Sequence, residues 1–255
     1  MSQRDAILSD PYLKHLYYQK ASKFIKENDI AGIIDNFLGE VIYGTTFSQI
    51  SELYAFEFLH FSIYSFSPVY EFSFLKEKIT KCFSKNIIID SVVSVKKRGN
   101  SYELKTKRNK TYHAKNVVIA TPINISQKLL NLKNIKKPVK AHMFHISGKI
   151  KEKWSEGEEE IFHQESQTLA IAHQQDGTYL FYSKNHHPPF KKYFTTFKII
   201  QQRYWDPAFN LNGRVLLDSK QDKNLYLIGD YNVCGLEDSF ITGVYAARKI
   251  MNIIP

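Results

Sequence analysis

Residues 223–251 read KNLYLIGDYNVCGLEDSFITGVYAARKIM, and this stretch decides the fold. Residues 225–228 are four consecutive apolar residues that end at Gly229. Such a short apolar run is typical of a strand that is buried on both faces of a parallel sheet. Asp230 then lies at the carboxyl end of the strand. Open α/β sheets bind their ligands at this end, so the carboxylate can accept hydrogen bonds from sugar or polyol hydroxyls.

A helix is predicted after the turn that follows Asp230. Phe240, Val244, Ala247 and Met251 recur at helical spacing and give this helix one apolar face. Its first turn would present unpaired N–H groups and a positive dipole end, which favour an electron-rich or anionic ligand. On the pattern alone, an ordinary strand-turn-helix with a solvated Asp230 is an equally good interpretation.

The same stretch resembles the closing FAD-binding segment of the flavin-containing amine oxidase, phytoene desaturase and protoporphyrinogen oxidase-like family. Gly229-Asp230, Glu237, Gly243 and Ala246-Ala247 occur in the order and at the spacing of that family's motif. Asp238-Ser239 replace the family's Gly-Ala and add a negative charge. The resemblance implies FAD as the cofactor, with these binding residues: Gly229, Asp230, Tyr231, Glu237, Asp238, Ser239, Phe240 and Gly243.

A second block resembles the same family independently. Residues 113–130, HAKNVVIATPINISQKLL, are similar to the family's strand that returns to the FAD domain and ends in Ala-Thr-Pro. The resemblance implies that Ala120, Thr121 and Pro122 also lie at the cofactor.

Three short strands are predicted upstream of that block, over residues 87–95, 102–106 and 110–113, with a tight turn at Arg108-Asn109. Together they resemble the three-stranded meander that covers the adenine side of FAD in this family. The resemblance places Val92 where the backbone meets the adenine.

The expected fold class is mixed α/β. An incomplete FAD-binding Rossmann-like domain is interleaved with a substrate domain of antiparallel sheet and helices. The chain is expected to divide into a helical part of the substrate domain (1–85), the meander and return strand of the FAD domain (86–130), the substrate-domain sheet (131–220), and the closing strand and helix of the FAD domain (221–255).

Local patterns add detail to the substrate domain. Residues 37–53 resemble its helical stretch, and residues 67–83 occupy the place of a helix before the meander. Asp176-Gly177 between two apolar runs predicts a β-hairpin. The acidic residues 156–160 are interpreted as a solvated loop.

The segment that should open a dinucleotide-binding fold is not found in this sequence. Gly-x-Gly-x-x-Gly lets the backbone reach the pyrophosphate, yet no two of the 11 glycines are separated by one residue. Without the first strand-helix-strand unit, the two predicted parallel strands would expose apolar edges. We therefore expect Met1 to fall near the middle of an ancestral flavoprotein. A second polypeptide then supplies the Gly-x-Gly-x-x-Gly half, or the chain is a truncated, non-catalytic binding or regulatory module.

Lys140 is the one candidate catalytic residue, in the segment Pro138-Val139-Lys140-Ala141-His142. It occupies a place similar to that of the lysine that many amine oxidases hold over flavin N5. With 35 basic residues in the chain, placement by chance is the competing interpretation. Small-amine oxidases also have an aromatic ring where this chain has Gly235. The resemblance therefore favours a desaturase-like or protoporphyrinogen oxidase-like activity on an apolar substrate.

No metal site is predicted. His142 and His145 are three residues apart on a probable strand and would point to opposite faces. His186-His187 precede two prolines in a polar loop, and Cys82 and Cys234 are too far apart for a shared site.

Composition limits the possible core size, binding partners and location of the chain. The chain has 43% hydrophobic residues, enough for one sizeable core or two small ones, and no apolar run approaches about 20 residues. The net charge of +10 is spread over small clusters without a nucleic-acid-binding motif, so nucleic-acid binding is only a minor alternative. A basic surface equally suits an acidic partner subunit or peripheral contact with an anionic membrane. A cytoplasmic location is expected, because no targeting pattern is found at the N-terminus and the two cysteines form no disulfide framework.

Overall fold

The computed structural model of this 255-residue chain describes residues 1–64, 66, 75–133, 138–210, 213 and 215–252. Its described residues form ten α-helices. In chain order these are α1 (Gln3–Ser9), α2 (Pro11–Tyr18), α3 (Ala21–Glu27), α4 (Ala31–Ile33), α5 (Gly39–Thr46), α6 (Ala55–Tyr64), α7 (Lys76–Phe83), α8 (Ile123–Leu130), α9 (Phe190–Tyr193) and α10 (Leu236–Ile250).

Eleven strands form three sheets within the described residues. The strands are β1 (Val92–Arg98), β2 (Ser101–Thr106), β3 (Thr111–Ala114), β4 (Val117–Ile119), β5 (Pro138–Ile150), β6 (Glu159–Ile161), β7 (Thr168–His173), β8 (Tyr179–Ser183), β9 (Phe194–Asn210), β10 (Lys220–Asp222) and β11 (Leu225–Leu227). Their orders across the sheets are β1-β2-β3, β10-β11-β4 and β6-β7-β8-β5-β9. The architecture is therefore mixed α/β, as predicted.

The N-terminal helices are delimited by their own side chains. The Ser2 hydroxyl accepts a hydrogen bond from the backbone N–H of Asp5 at the start of α1. The Asp10 carboxylate accepts from the second and third N–H groups of α2, and Pro11 occupies the first helical position. Helices α3, α5 and α6 pack around a core that includes Ile42, Leu53, Phe58 and Phe61.

The first sheet is the predicted meander. All its pairings are antiparallel, and its turns contain Gly99 at φ 61° and Asn109 at φ 59°, two residue types that tolerate this left-handed conformation. Its first strand begins at Val92, however, and not at residue 87 as predicted. Val92 pairs with Thr106, after which the chain turns, so residues 87–90 have little left to pair with and Ile87, Ile88 and Ile89 are exposed.

The second sheet confirms the predicted parallel strands. β4 and β11 run parallel, with Tyr226 opposite Val118, and β10 pairs antiparallel on the far side of β11. Leu225 and Leu227 pack against Tyr102 and other residues of the meander. The meander therefore covers one face of this sheet.

The third sheet contains the predicted hairpin, since β7 and β8 pair antiparallel around Gly177 at φ 78°. Its 17-residue strand β9 was not predicted. The interpretation of 156–160 as a loop was wrong in part, because Glu159 and Glu160 begin β6 and pair with β7. Burial raises the pKa of the Glu159 carboxyl.

The predicted helix before the meander is α7, which covers the second part of the expected range 67–83. Residues 67–74 lie outside the described residues. Among the residues that are described, no helix is both long enough and apolar enough to cross a membrane.

Candidate functional site

The site predicted from the closing motif lies where β4 and β11 end side by side. The backbone N–H of Ile228 donates to the Ile119 carbonyl at 2.9 Å, which extends the parallel pairing to the ends of both strands. Gly229 follows at φ 141°, where a Cβ would lie 2.8 Å from the Tyr231 ring, so only glycine fits this step without a shift. Asp230 therefore leaves the sheet at the carboxyl end of its strand, which is the usual ligand edge of such sheets.

Tyr231 joins the two blocks that resemble flavoenzymes. Its hydroxyl donates to the Thr121 carbonyl at 3.0 Å, and Thr121 in turn shares a 2.9 Å hydrogen bond with Ser126 at the start of α8. Burial raises the pKa of Tyr231 to about 12, so the hydroxyl stays protonated as a donor at neutral pH. The structure thus brings together Thr121 and Tyr231, one residue from each of the two blocks.

The turn after Asp230 is held by Asn232, which sequence reasoning missed. The Asn232 side chain accepts from the Leu217 N–H and donates to the Leu217 carbonyl, both at 2.8 Å. Its own carbonyl accepts from the Tyr17 hydroxyl at 2.6 Å. Asparagine is common in turns, but nothing in the sequence indicated partners 15 and 215 residues away.

A second set of contacts fixes the end of the turn. His60 Nε2 lies 2.8 Å from the Cys234 carbonyl oxygen. Burial, together with the carboxylates of Asp230 and Asp238, raises the pKa of the Cys234 thiol to about 12. Cys234 is therefore a neutral, half-buried thiol and not a nucleophile.

The first turn of α10 carries Glu237 and Asp238. Burial is the main cause that raises the Asp238 pKa, and the Asp238 carboxylate accepts a 2.7 Å hydrogen bond from Gln3 Nε2 of α1. Acidic side chains at a helix N-terminus are stabilised by the helix dipole. These two carboxylates therefore compete with any anionic ligand at the helix end where the sequence predicted one.

The remaining predicted residues are distributed around this edge. Val92 is half-buried at the start of β1, and Ala120 and Pro122 are exposed between β4 and α8. Ser239 and Gly243 are half-buried in α10, while Phe240 is largely exposed. Gly243 would place a Cβ only in ordinary contact with Ile228. The role of these residues toward a cofactor stays a prediction.

Lys140 forms an ion pair with Asp206 of β9, with Nζ 2.8 Å from Oδ2. The hydrogen bond to Asp206 raises the Lys140 pKa, which holds the ammonium in its charged form. The Asp206 carbonyl also accepts from Asn124 Nδ2 of α8 at 2.9 Å. Lys140 is thereby connected to the helix that follows Ala120-Thr121-Pro122.

Three histidines, His142, His186 and His187, lie close together at the five-stranded sheet, which their spacing in the sequence did not predict. The centroid of the His142 ring lies 5.0 Å from that of the His186 ring, which it meets edge-on. The centroid of the Tyr204 ring lies 4.7 Å from that of His142. Burial and the two neighbouring histidines, His186 and His187, lower the His142 pKa. His145 instead contacts Thr178 Oγ1 at 2.8 Å. Within the described residues, no group of side chains could hold a metal ion.

No family model and no curated protein matches this chain in sequence. Solved structures do match. A putrescine oxidase bound to putrescine has a TM-score of 0.63 at 10% identity, covering 98% of this chain and 72% of the oxidase. An oxidoreductase from Methanosarcina mazei has a TM-score of 0.62 at 10% identity over 90% of this chain and 68% of its own.

A fatty acid isomerase from P. acnes that produces CLA is a third match, with a TM-score of 0.60 at 9% identity. The match covers 95% of this chain and 68% of the isomerase. This chain spans 59% of the length of one matching structure and 68% to 72% of the length of others. The chain therefore has the mixed α/β fold of FAD-dependent oxidoreductases of the amine oxidase kind.

Proposed function

We propose that this chain is the C-terminal half of an FAD-dependent oxidoreductase, related to amine oxidases and desaturases, and that a second polypeptide carries the Gly-x-Gly-x-x-Gly half. The observation that carries this proposal is the junction of the two family-like blocks. The Tyr231 hydroxyl bonds to Thr121 at the carboxyl ends of two parallel strands, where α/β sheets bind ligands.

The residues at this edge fit part of the cofactor. The Asp230 carboxylate suits the hydroxyls of a ribityl or ribose chain, and the meander that starts at Val92 suits an adenine. When bound, the flavin supplies the redox step by accepting a hydride from the substrate. The pyrophosphate needs a glycine-rich loop, which we assign to the partner because the sequence holds none.

We assign substrate orientation to the end of the five-stranded sheet that holds Lys140. With its pKa raised by Asp206, the Lys140 ammonium is a hydrogen-bond donor and not a base at neutral pH. Gly235, at φ 148° before α10, leaves room where small-amine oxidases have an aromatic ring. An apolar substrate therefore fits the proposal better than a small amine.

A non-catalytic binding or regulatory module is the second candidate. It is favoured by Glu237 and Asp238, which place two carboxylates where an electron-rich flavin edge or a phosphate would bind. The pairing of Lys140 with Asp206 favours it too, since the ammonium already has a partner.

The test is the visible absorption of the tagged chain, purified alone and together with its co-purifying polypeptides, followed by FAD titration of the stripped sample. We expect flavin bands only in the complex. Asp230→Ala should weaken FAD binding about tenfold or more, because hydrogen bonds to a carboxylate are worth about 1.5–3 kcal/mol. Asp35→Ala, an exposed carboxylate in the π-helical segment Ile34–Leu38, is the matched control. A folded complex that is colourless and does not bind FAD would contradict the flavoenzyme proposal and favour the binding or regulatory module.

A further inference from the structure

Helix α7 and the residues that follow it expose an apolar surface. None of the residues of α7 is buried, and every residue from 75 to 89 is exposed. Ile79 is 55% and Phe83 58% exposed in the helix, and Ile89, in the run of three isoleucines at 87–89, is 76% exposed. Single exposed apolar residues are ordinary, but a group of them in one short segment marks a binding surface.

The apolar residues of α7 lie on one side of the helix. Successive helical residues are about 100° apart, so Ile79, Cys82 and Phe83 fall within an arc of about 100°. Leu75, the N-cap residue, precedes Ile79 by one turn and continues the same stripe. Such a stripe normally faces a protein core. In the part of the chain that the structure describes, nothing covers it.

Lysines border this stripe on both sides. In projection along the helix axis, Lys76 lies about 20° beyond Phe83. Lys78 lies about 40° beyond Cys82 on the other side, and Glu77 lies opposite the stripe. Neither ammonium is held by an ion pair with any other described residue. An apolar stripe bordered by lysines is typical of a helix that lies in a membrane interface.

The isoleucine run is also bordered by cations. The backbone N–H of Lys107 donates to the Ser91 carbonyl at 2.8 Å, so the turn between β2 and β3 lies beside the end of the run. This turn carries three exposed basic residues, Lys107, Arg108 and Lys110. Basic residues therefore lie at both ends of the apolar segment 75–89.

We propose that Leu75, Ile79, Phe83 and the isoleucines 87–89, here named the α7 surface, bind the surface of an anionic lipid bilayer. The apolar side chains enter the boundary between headgroups and acyl chains, roughly 5–10 Å deep in interfacial helices, and the bordering lysines contact the anionic headgroups. This inference goes beyond the proposed function and does not depend on it.

The composition of the α7 surface favours a bilayer over a protein partner. Protein interfaces are depleted in lysine, whose side-chain freedom is lost on packing. Lys76, Lys78 and Lys81 are three of the eight residues of α7, and all three are exposed. A bilayer interface lets each ammonium stay hydrated while its stem covers apolar surface. The net charge of +10 adds long-range attraction to an anionic bilayer but repels a second copy of this chain.

The test is partition of the full-length chain onto lipid vesicles, measured by co-sedimentation. Vesicles of phosphatidylcholine and phosphatidylglycerol in equal parts are compared with vesicles of phosphatidylcholine alone. We expect binding to the anionic vesicles that weakens as the salt concentration rises, and much weaker binding to the neutral vesicles. Binding to neither kind of vesicle, or equal binding to both, would overturn the proposal.

A matched pair of variants separates the α7 surface from net charge. Ile79→Glu should lower the partition coefficient on anionic vesicles more than about tenfold, because it places a carboxylate within the apolar stripe. Ile33→Glu in α4 adds the same charge at a position that is 47% exposed, and should lower the coefficient less than about twofold. Both variants should melt at the wild-type temperature, since both positions are exposed. Equal losses in the two variants would show that net charge alone drives binding, which would sink the assignment to α7.

Phe83→Trp tests whether this part of the chain enters the bilayer. Its fluorescence emission should shift to shorter wavelength on anionic vesicles and be quenched by lipids that carry a quencher on the acyl chain. Phe37→Trp, at another exposed phenylalanine, should show neither effect. A chain that binds vesicles while Phe83→Trp stays unshifted would contradict the proposal. Vesicle binding that disappears when the co-purifying polypeptides are present would contradict it too, since a protein would then cover the α7 surface.

Discussion

Asn232→Ala is the substitution that should lower the free energy of unfolding most clearly. The Asn232 amide makes two hydrogen bonds of 2.8 Å, one to the N–H and one to the carbonyl of Leu217, and both residues are buried. Alanine removes both partners at once and leaves two backbone groups unpaired. An unpaired buried polar group costs about 1–3 kcal/mol, so the free energy of unfolding should fall by about 2–6 kcal/mol. That is a large share of the roughly 5–15 kcal/mol of a typical protein.

The assay is urea unfolding followed by circular dichroism, with the free energy extrapolated to water. Tyr17→Phe removes only the 2.6 Å hydrogen bond to the Asn232 carbonyl, leaves that one group unpaired, and should cost about 1–3 kcal/mol. Asn28→Ala removes an exposed asparagine that bonds the Phe24 carbonyl and should stay within about 0.5 kcal/mol of wild type. A loss below about 1 kcal/mol for Asn232→Ala would refute the reasoning, because one orphaned group alone should cost that much.

Two further changes test the geometry of the site and of the five-stranded sheet. Gly229→Ala should destabilise the chain by about 1–3 kcal/mol in the same assay, since φ is 141° and the new Cβ would lie 2.8 Å from the Tyr231 ring; an unchanged midpoint would contradict that geometry. For His142, a folded-state pKa below 6.5 means that the unfolded chain binds the proton more readily, so stability is complete above pH 6.5 and falls as the pH drops through that value. Denaturation at pH 8 and pH 5 should show this loss in wild type and less of it in His142→Gln, and parallel profiles would disprove the assignment.

Local patterns in the sequence were sufficient for much of the fold. The run 225–228, the Gly229-Asp230 step, the Asp176-Gly177 turn and the hairpin at Asn109 each encode their structure within a few residues. The structure confirmed the meander, the parallel pair and the hairpin for that reason.

Features that depend on distant partners could not be predicted in this way. β9 contains Pro207, which argues against a strand, but β9 lies at the edge of its sheet, where proline is tolerated, and a register shift between Val139 and Ala141 lies opposite it. Asn232, the pair His142 and His186, and the bond between Gln3 and Asp238 join residues far apart in sequence. The strand predicted from residue 87 was wrong at its start. Three consecutive isoleucines at 87–89 predict a buried strand, but the pairing of β1 with β2 ends at Val92 and Thr106.

The hydrogen bond between Gln3 and Asp238 also anchors the first residues of the chain to α10. Met1 lies in a groove of about 270 Å³ with Ile241 and Val244 of that helix. A polypeptide fused upstream of Met1 would therefore start beside α10. A short flexible linker at that point gives an effective concentration in the millimolar range. The position of Met1 thus makes a single-chain fusion a practical route to a tethered assembly that would not dissociate on dilution.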